Sequence, residues 1–333
     1  MVTLRLNTSE DDIERAGEII RSGGLVAFPT ETVYGLGADA LNEEAVSSIY
    51  RAKGRPSDNP MIVHIATIDA AEKLASEVSE TAARLMEEFW PGPITFVLHK
   101  KAVVPSVTTG GLDTVAIRMP SSETARRLIL ASGRPIAAPS ANISGKPSPT
   151  NAGDVLEDMD GIIDAVIEGE SSRVGIESTV LDVTGDIPVI LRPGFVTPEL
   201  IEERTGIVAV YDSSLKEVHS EVLDPEGGAA EINGFRPRSP GMKYKHYAPK
   251  ARVIIVEGDI DARREEFEKK GTSVAVLDYG EDSMEAAHSF FSDLRRLDRE
   301  GVETILVRPL AREGLGFSIM NRMLKSAGYE VII

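Results

Sequence analysis

Apolar and polar positions alternate in short blocks from the first residues onward. VTLRL reads as a strand. Ser9 then precedes Glu10, Asp11 and Asp12 and an apolar periodicity that stops at Gly23-Gly24. That is the pattern of a helix with a hydroxyl N-cap and acids in its first turn. LVAFP follows as a strand, and MIVHIA, PITFVLH, TVAIRMP, RPIAAPS, DAVIEG, STVLDV, PVILRP and IVAVY are further strand candidates, with helices predicted over 43–52, 70–89 and 122–132. Many of these strands end on Pro or Gly, which disfavours a simple doubly wound layout and points to a bent, mixed sheet with functional loops. A mixed α/β domain is predicted for residues 1–211.

Between 212 and 249 the periodicity fails and chain breakers accumulate, the pattern of a long linker. Its second half, RPRSPGMKYKHYAP, is basic and aromatic, unlike a neutral spacer. Alternation resumes with RVIIVEG, a helix to Lys270, SVAVLDYG, a helix over 284–299, ETILVRPL, a helix over 316–326 and YEVII. Four strands joined by three helices predict a small Rossmann-like parallel α/β domain over 250–333, because parallel strands need crossover connections.

Composition narrows the function. The chain has 333 residues, 42% of them hydrophobic, enough for a core in each of two domains. With 36 Lys and Arg against 53 Asp and Glu, the net charge of −17 repels nucleic acid and anionic membranes at long range. Any anion site must be a local concentration of cations. The absence of cysteine excludes disulfides, thiolate zinc sites and Cys nucleophiles. The histidines at 64, 99, 219, 246 and 288 show no metal-ligand spacing. No apolar run approaches the ~20 residues of a membrane span, and the opening stretch is too acidic for a signal peptide. A cytoplasmic, monomeric protein without membrane contact is expected.

No GxxxxGK[ST] loop, no GxGxxG after a strand and no GxSxG occurs. What remains is a set of polar loops at strand ends. FPTETVYGLGADA offers hydroxyls and glycines for a small polar ligand, or a Thr-rich turn. KGRPSDNP sets Lys53 and Arg55 in a Pro-restricted loop, either as solvated charges or as an anion site. His64 in MIVHIA is a core histidine or a ligand contact. Arg118 lies inside an apolar strand with Thr114 four residues earlier on the same face, and needs an anion, internal or bound. PSANISGKPSPT gathers Ser140, Asn142 and Ser148 around Gly145-Lys146, an ordinary Pro/Ser turn or an anion or nucleotide cradle. Ser178 in GIESTVLDV and Arg192 in VILRPG are unremarkable singly.

PTETVYGLG, KGRP with its following NP and strand histidine, IRMP, PSAN, ESTV and LRPG occur in the order found in the YrdC-like domain of threonylcarbamoyl-AMP synthases. SPGMKYKHYAP followed by a small α/β domain resembles the longer, two-domain branch of that family, so the resemblance spans essentially the whole chain. It implies an N-terminal sheet domain with an open cavity. It also implies synthesis of threonylcarbamoyl-adenylate and pyrophosphate from ATP, L-threonine and bicarbonate, with Mg2+ inferred to accompany ATP. The product would pass to a tRNA threonylcarbamoyl transferase complex that modifies the adenosine beside the anticodon. The resemblance places Lys53, Arg55, Asn59, Thr114, Ser140, Ser148 and Arg192 at ATP, and Thr32, His64, Arg118, Ala138 and Ser178 at threonine. Asn142 would join Lys53, Arg55 and Ser140 at the reaction centre. Ser239, Lys243 and Tyr244 of the linker would approach the nucleotide, the linker covering the cavity and the second domain anchoring it. One alternative is an RNA-binding module without adenylate synthesis, against which the charge argues. A carbamoyl transferase of the hydrogenase-maturation type would carry cysteine-rich zinc motifs, and this chain has no cysteine.

Overall fold

The computed structural model describes residues 2–215 and 247–333. The first part runs β1 (Leu4–Leu6), α1 (Glu10–Arg21), β2 (Val26–Phe28), β3 (Gly35–Asp39), α2 (Glu43–Lys53), β4 (Ile62–His64), α3 (Asp69–Leu74), α4 (Glu80–Phe89) and β5 (Ile94–His99). It continues through β6 (Thr114–Arg118), α5 (Glu123–Ser132), β7 (Ile136–Ala137), α6 (Ala152–Met159), β8 (Ala165–Ile167), β9 (Thr179–Asp182), β10 (Val189–Arg192), α7 (Pro198–Thr205) and β11 (Val210–Tyr211). Its strands form one sheet in the order β1-β8-β2-β3-β7-β4-β6-β5-β9-β10-β11. Parallel and antiparallel neighbours mix throughout, as the strand ends predict: β4 lies parallel to β6, while β3 and β4 both run antiparallel to β7.

Local chemistry sets the element ends. Ser9 caps α1 by accepting from Asp12 N, with Glu10, Asp11 and Asp12 complementing the positive end of the helix. The helix predicted over 70–89 is two helices. Ala75 leaves helical geometry to bridge Lys100, Ser76 N donates to His99 O, and Ser79 starts α4 as a fresh N-cap. A sheet edge competes there for the backbone donors that would have continued the first helix. GLGAD, read from sequence as part of a loop, is strand β3 with every residue buried. A Cβ on Gly37 would come within 2.7 Å of Ile136 and 2.8 Å of Phe28, so glycine fits a strand covered closely by its neighbours. Helices α6 and α7, capped by Asn151 and Thr197, arise where the sequence reading placed no helix.

The second part runs β12 (Arg252–Val256), α8 (Ile260–Lys269), β13 (Val274–Leu277), α9 (Ser283–Arg299), β14 (Thr304–Val307), α10 (Gly314–Ser326) and β15 (Val331–Ile332). All three strand pairings are parallel, in the order β13-β14-β12-β15, as the alternation predicts. Helices α9 and α10 also meet the first sheet domain. Its Val33 and Ile176 join the apolar cluster built on Phe290, Phe291 and Leu294. Around this patch Arg295 donates to Pro147 O (2.7 Å) and Asp158 (3.0 Å), and Arg299 pairs with Asp154 (2.9 Å).

Gly175 marks the closest approach. Its φ is +82°, and a Cβ there would lie 2.3 Å from Ala287 O of α9. Gly175→Ala therefore meets both an unfavourable backbone conformation and a rigid carbonyl. It is expected to destabilise the protein by about 1–3 kcal/mol. Equilibrium urea unfolding checks this, and an unchanged midpoint would refute it.

Candidate active site

Strands β4 and β6 end side by side, with His64 directly opposite Arg118 in their parallel register. The carboxyl ends of parallel strands are where α/β sheets commonly bind ligands. Here a small cavity, about 60 Å³, extends from those ends back to Pro60 and Ile62 at the start of β4. Thr32 from the β2–β3 connection, Arg55 after α2, Ala138 and Ser140 after β7, Ser178 before β9 and Arg192 at the end of β10 complete the wall. The cavity thus collects His64, Arg118 and these six other residues from seven separate segments.

Arg118 is buried in the wall with its fork already partly used. Nη2 donates to Glu31 Oε1 at 2.7 Å and Nη1 to Thr32 Oγ1 at 2.8 Å. Of the two readings left open for this arginine, the structure contains the internal salt bridge, and Arg118 still faces the cavity. Burial alone would raise the Glu31 carboxyl, but the charge and hydrogen bond of Arg118 hold it below the usual carboxylate range. His64 is buried edge-on to Phe28, with Nδ1 3.2 Å from Ile62 O. Burial, reinforced by the Arg118 charge, pushes its pKa down to about 3. His64 is therefore neutral at pH 7, a hydrogen-bonding wall residue and a weak general base.

Across the cavity Arg192 donates through Nε and Nη2 to Ser178 O (3.1 and 2.9 Å) and through Nη2 to Ser178 Oγ (3.1 Å). Beside them Glu177 lines the wall and accepts from Ser148 Oγ at 2.6 Å. Ser148 thus stands behind Glu177. Arg55 is half-buried, donates to Pro60 O at 3.1 Å, and has its pKa lowered to about 10, chiefly by burial. It remains a cation at neutral pH.

Lys53 sits one layer further back. Its Nζ donates to Ser140 O (2.6 Å) and Asn142 O (2.5 Å), tying the end of α2 to the loop after β7. Complete burial, then the neighbouring Arg55 charge, push its pKa well below the ordinary lysine value. Asn59 and Asn142 are buried in the same region, and Oδ1 of each has no hydrogen-bond partner among the described residues. Buried acceptors of this kind are normally satisfied, so both are suited to a bound donor. Thr114 stands at the opposite end of β6, ~13 Å from Arg118 at strand rise. Ser239, Lys243 and Tyr244, with residues 216–246 of the linker expected to cover the cavity, lie outside the described residues. Tyr247, just beyond them, is described: it lines the cavity and stacks at 5.0 Å on Phe291 of α9.

Three guanidinium groups, Arg55, Arg118 and Arg192, thus face one cavity, balanced by Glu31 and Glu177. This is the local cation concentration that a chain of net charge −17 needs in order to hold an anion. The sequence reading did not assign Glu31, Glu177 or Tyr247 to the site. Glu31 and Glu177 lie inside PTET and ESTV, and the demand of a buried arginine for a carboxylate is the signal that could have selected them.

His64 generates a pH test. An unfolded histidine takes up a proton below ~6.5, whereas the native one resists until about 3. Native stability contributed by His64 is therefore lost as pH falls through that window. Urea unfolding of wild type and His64→Gln from pH 6.5 to 4.5 should show the wild type losing up to ~1.4 kcal/mol more per pH unit. Parallel slopes would refute the neutral buried imidazole.

The chain matches two family models: "Telomere recombination" over residues 18–194 and "Threonylcarbamoyl-AMP synthase, C-terminal domain" over residues 197–328. A threonylcarbamoyl-AMP synthase of Pyrococcus abyssi is 47% identical, covering 100% of this chain and 98% of its own length. One of Bacillus subtilis is 44% identical over 99% of this chain and 97% of its own. The crystal structure of P. abyssi Sua5 complexed with L-threonine superposes with a TM-score of 0.86 at 46% identity, covering 100% of this chain and 99% of that one. Full-length identity at this level, together with both domain models, shows that the chain belongs to the threonylcarbamoyl-AMP synthase family.

Proposed function

We propose that this protein makes L-threonylcarbamoyl-adenylate and pyrophosphate from ATP, L-threonine and bicarbonate, the first step of threonylcarbamoyladenosine formation in tRNA. The observation that carries this reading is the convergence of Arg55, Arg118 and Arg192 on one cavity beside Thr32, His64 and Ser178. Cations suited to a triphosphate and a carboxylate there adjoin hydroxyls suited to threonine. ATP enters as its magnesium complex. Among the described residues no group of three or more His, Asp or Glu could hold a metal, and the ion is carried in by the triphosphate as part of the substrate.

The threonine amine and bicarbonate condense to a carbamate with loss of water. A carbamate oxygen then attacks the α-phosphorus of ATP, and the bond to the β,γ-diphosphate breaks to release pyrophosphate. Negative charge accumulates on phosphate oxygens along this path. Fixed guanidinium groups in a dry site stabilise it without reorganisation. Arg55 and Arg192 are assigned to the triphosphate, and Arg118 to the threonine carboxylate through the N–H groups that Glu31 and Thr32 leave free. Lys53 would reach a phosphate by exchanging one carbonyl partner for a phosphate oxygen, and otherwise holds the Ser140–Asn142 loop. Asn59 and Asn142 offer acceptors to the nucleotide side. Thr32, Ser178 and Ala138 shape the pocket for the threonine side chain, with His64 positioning it. The product is a mixed anhydride that water can destroy, so a tRNA threonylcarbamoyl transferase is its expected consumer, in the cytoplasm.

Pyrophosphate release from ATP and magnesium should require both bicarbonate and threonine, with serine a poorer substrate and valine poorer still. Release with neither, or a salt-dependent RNA affinity without turnover, would overturn the reading. Arg118→Lys, which keeps a charge beside Glu31, should raise the threonine KM ~10- to 100-fold, the loss of one charge-assisted contact. Arg55→Ala should abolish ATP turnover at unchanged unfolding midpoint. An unchanged threonine KM in Arg118→Lys would remove the carboxylate assignment.

A further inference from the structure

Arg322, on α10 of the second domain, is the largest completely buried side chain among the described residues. Its partners lie mostly across the domain junction. Nε donates to Glu177 Oε2 at 3.3 Å, Nη2 reaches Glu177 O at 3.5 Å, and Nη1 donates to Pro193 O and, within its own helix, to Ser318 O at 3.0 Å. Both recipients adjoin the cavity wall: Glu177 immediately precedes Ser178, and Pro193 immediately follows Arg192.

Adhesion alone does not account for an arginine here. The junction already has an apolar patch through Val33 and Ile176, and a buried ion pair is no more stabilising than well-packed apolar groups of similar size. What the pair does supply is direction and charge. Glu177 holds Ser148 through Oε1, so fixing Oε2 fixes the whole carboxylate and with it the serine hydroxyl. An uncompensated carboxylate in that wall would also repel a triphosphate. The groups facing Glu177 are Arg322 and Lys325 of α10, Arg192 of β10, Ser148 and Tyr247. Arg322 makes a direct ion pair with its side chain, and Arg192 and Lys325 add their charges around it. Arg295 of α9 supports the same side of the site by gripping Pro147 O, next to Ser148.

We propose that Arg322 is a positioning residue for the nucleotide side of the cavity: acting through Glu177 and Ser148, it makes the second domain a necessary part of the ATP site. The proposal rests on the adenylate-synthase reading. It assigns the second domain a share in ATP affinity and none in threonine recognition.

The test uses the full chain and a non-hydrolysable ATP analogue, followed by calorimetry, with threonine titrated separately and thermal unfolding as the control. Arg322→Met is expected to weaken analogue binding at least ~10-fold while threonine binding changes less than twofold. Glu177→Gln in the same chain removes the carboxylate that Arg322 neutralises, and is expected to recover most of that loss. Should the methionine variant not fold, Arg322→Lys keeps the charge and loses the fork, with a ~3-fold weakening expected. Analogue binding within error of wild type in the soluble variant overturns the proposal. So does a parallel loss of both ligands that Glu177→Gln leaves unchanged, the mark of a purely structural bolt. Analogue binding that depends on Arg322, in a protein whose wild type releases no threonine- and bicarbonate-dependent pyrophosphate, would overturn the synthase reading and leave the positioning role standing.

Discussion

A guanidinium group can be withdrawn from water only if its donors are met and its charge is answered, and this requirement organises the whole cavity. Arg118 is answered by Glu31 and Thr32, Arg192 by Ser178 with Glu177 nearby, and Arg322 by Glu177 and the Pro193 carbonyl. The Arg118–Glu31 and Arg322–Glu177 pairs span 87 and 145 residues, whereas Arg192 and Ser178 lie 14 residues apart across β9 and β10. The two long-range pairs join segments that meet only in the folded protein, so folding and charge compensation are one event there. The result is a rigid positive lining inside a strongly acidic protein.

The sheet topology makes the convergence possible. β7 runs antiparallel between β3 and β4, so the Ser140 loop emerges beside the amino ends of those strands, where Ser140 bridges Gly35 and lies next to the loop that carries Arg55 into β4. Lys53 then fastens the end of α2 to that loop through two backbone carbonyls. Because the amine is enclosed, its bonds act with little competition from water. The loop after β7 is consequently held from one side by Lys53 and, through Pro147, from the other by Arg295.

Much of the fold was legible in the chain because period and punctuation are local signals. Ser9 and its acids announce α1, and four apolar runs separated by helical stretches announce the parallel sheet of the second domain. The failures were tertiary. Ala75 has nothing in its own neighbourhood to stop a helix; a pairing with Lys100 stops it. Gly35 to Asp39 resembles a flexible loop until Phe28 and Ile136 are seen to demand residues without bulk. At the cavity, hydroxyls and cations stood out by type, whereas Glu31 and Glu177 looked like ordinary acids in a chain full of them. Their partners lie 87 and 145 residues away, beyond any spacing rule.

That last separation has a consequence for the order of events in a cell. Glu177 leaves the ribosome 145 residues before Arg322, an interval of roughly seven to thirty seconds at ordinary elongation rates. Once β9, β10 and β11 have followed, the first sheet can form while one wall of its cavity holds an acid without its cross-domain partner. The nascent chain thus passes through a stage in which the pocket is shaped but electrostatically unfinished. Its readiness for a triphosphate is timed by the synthesis of a helix that belongs to another domain.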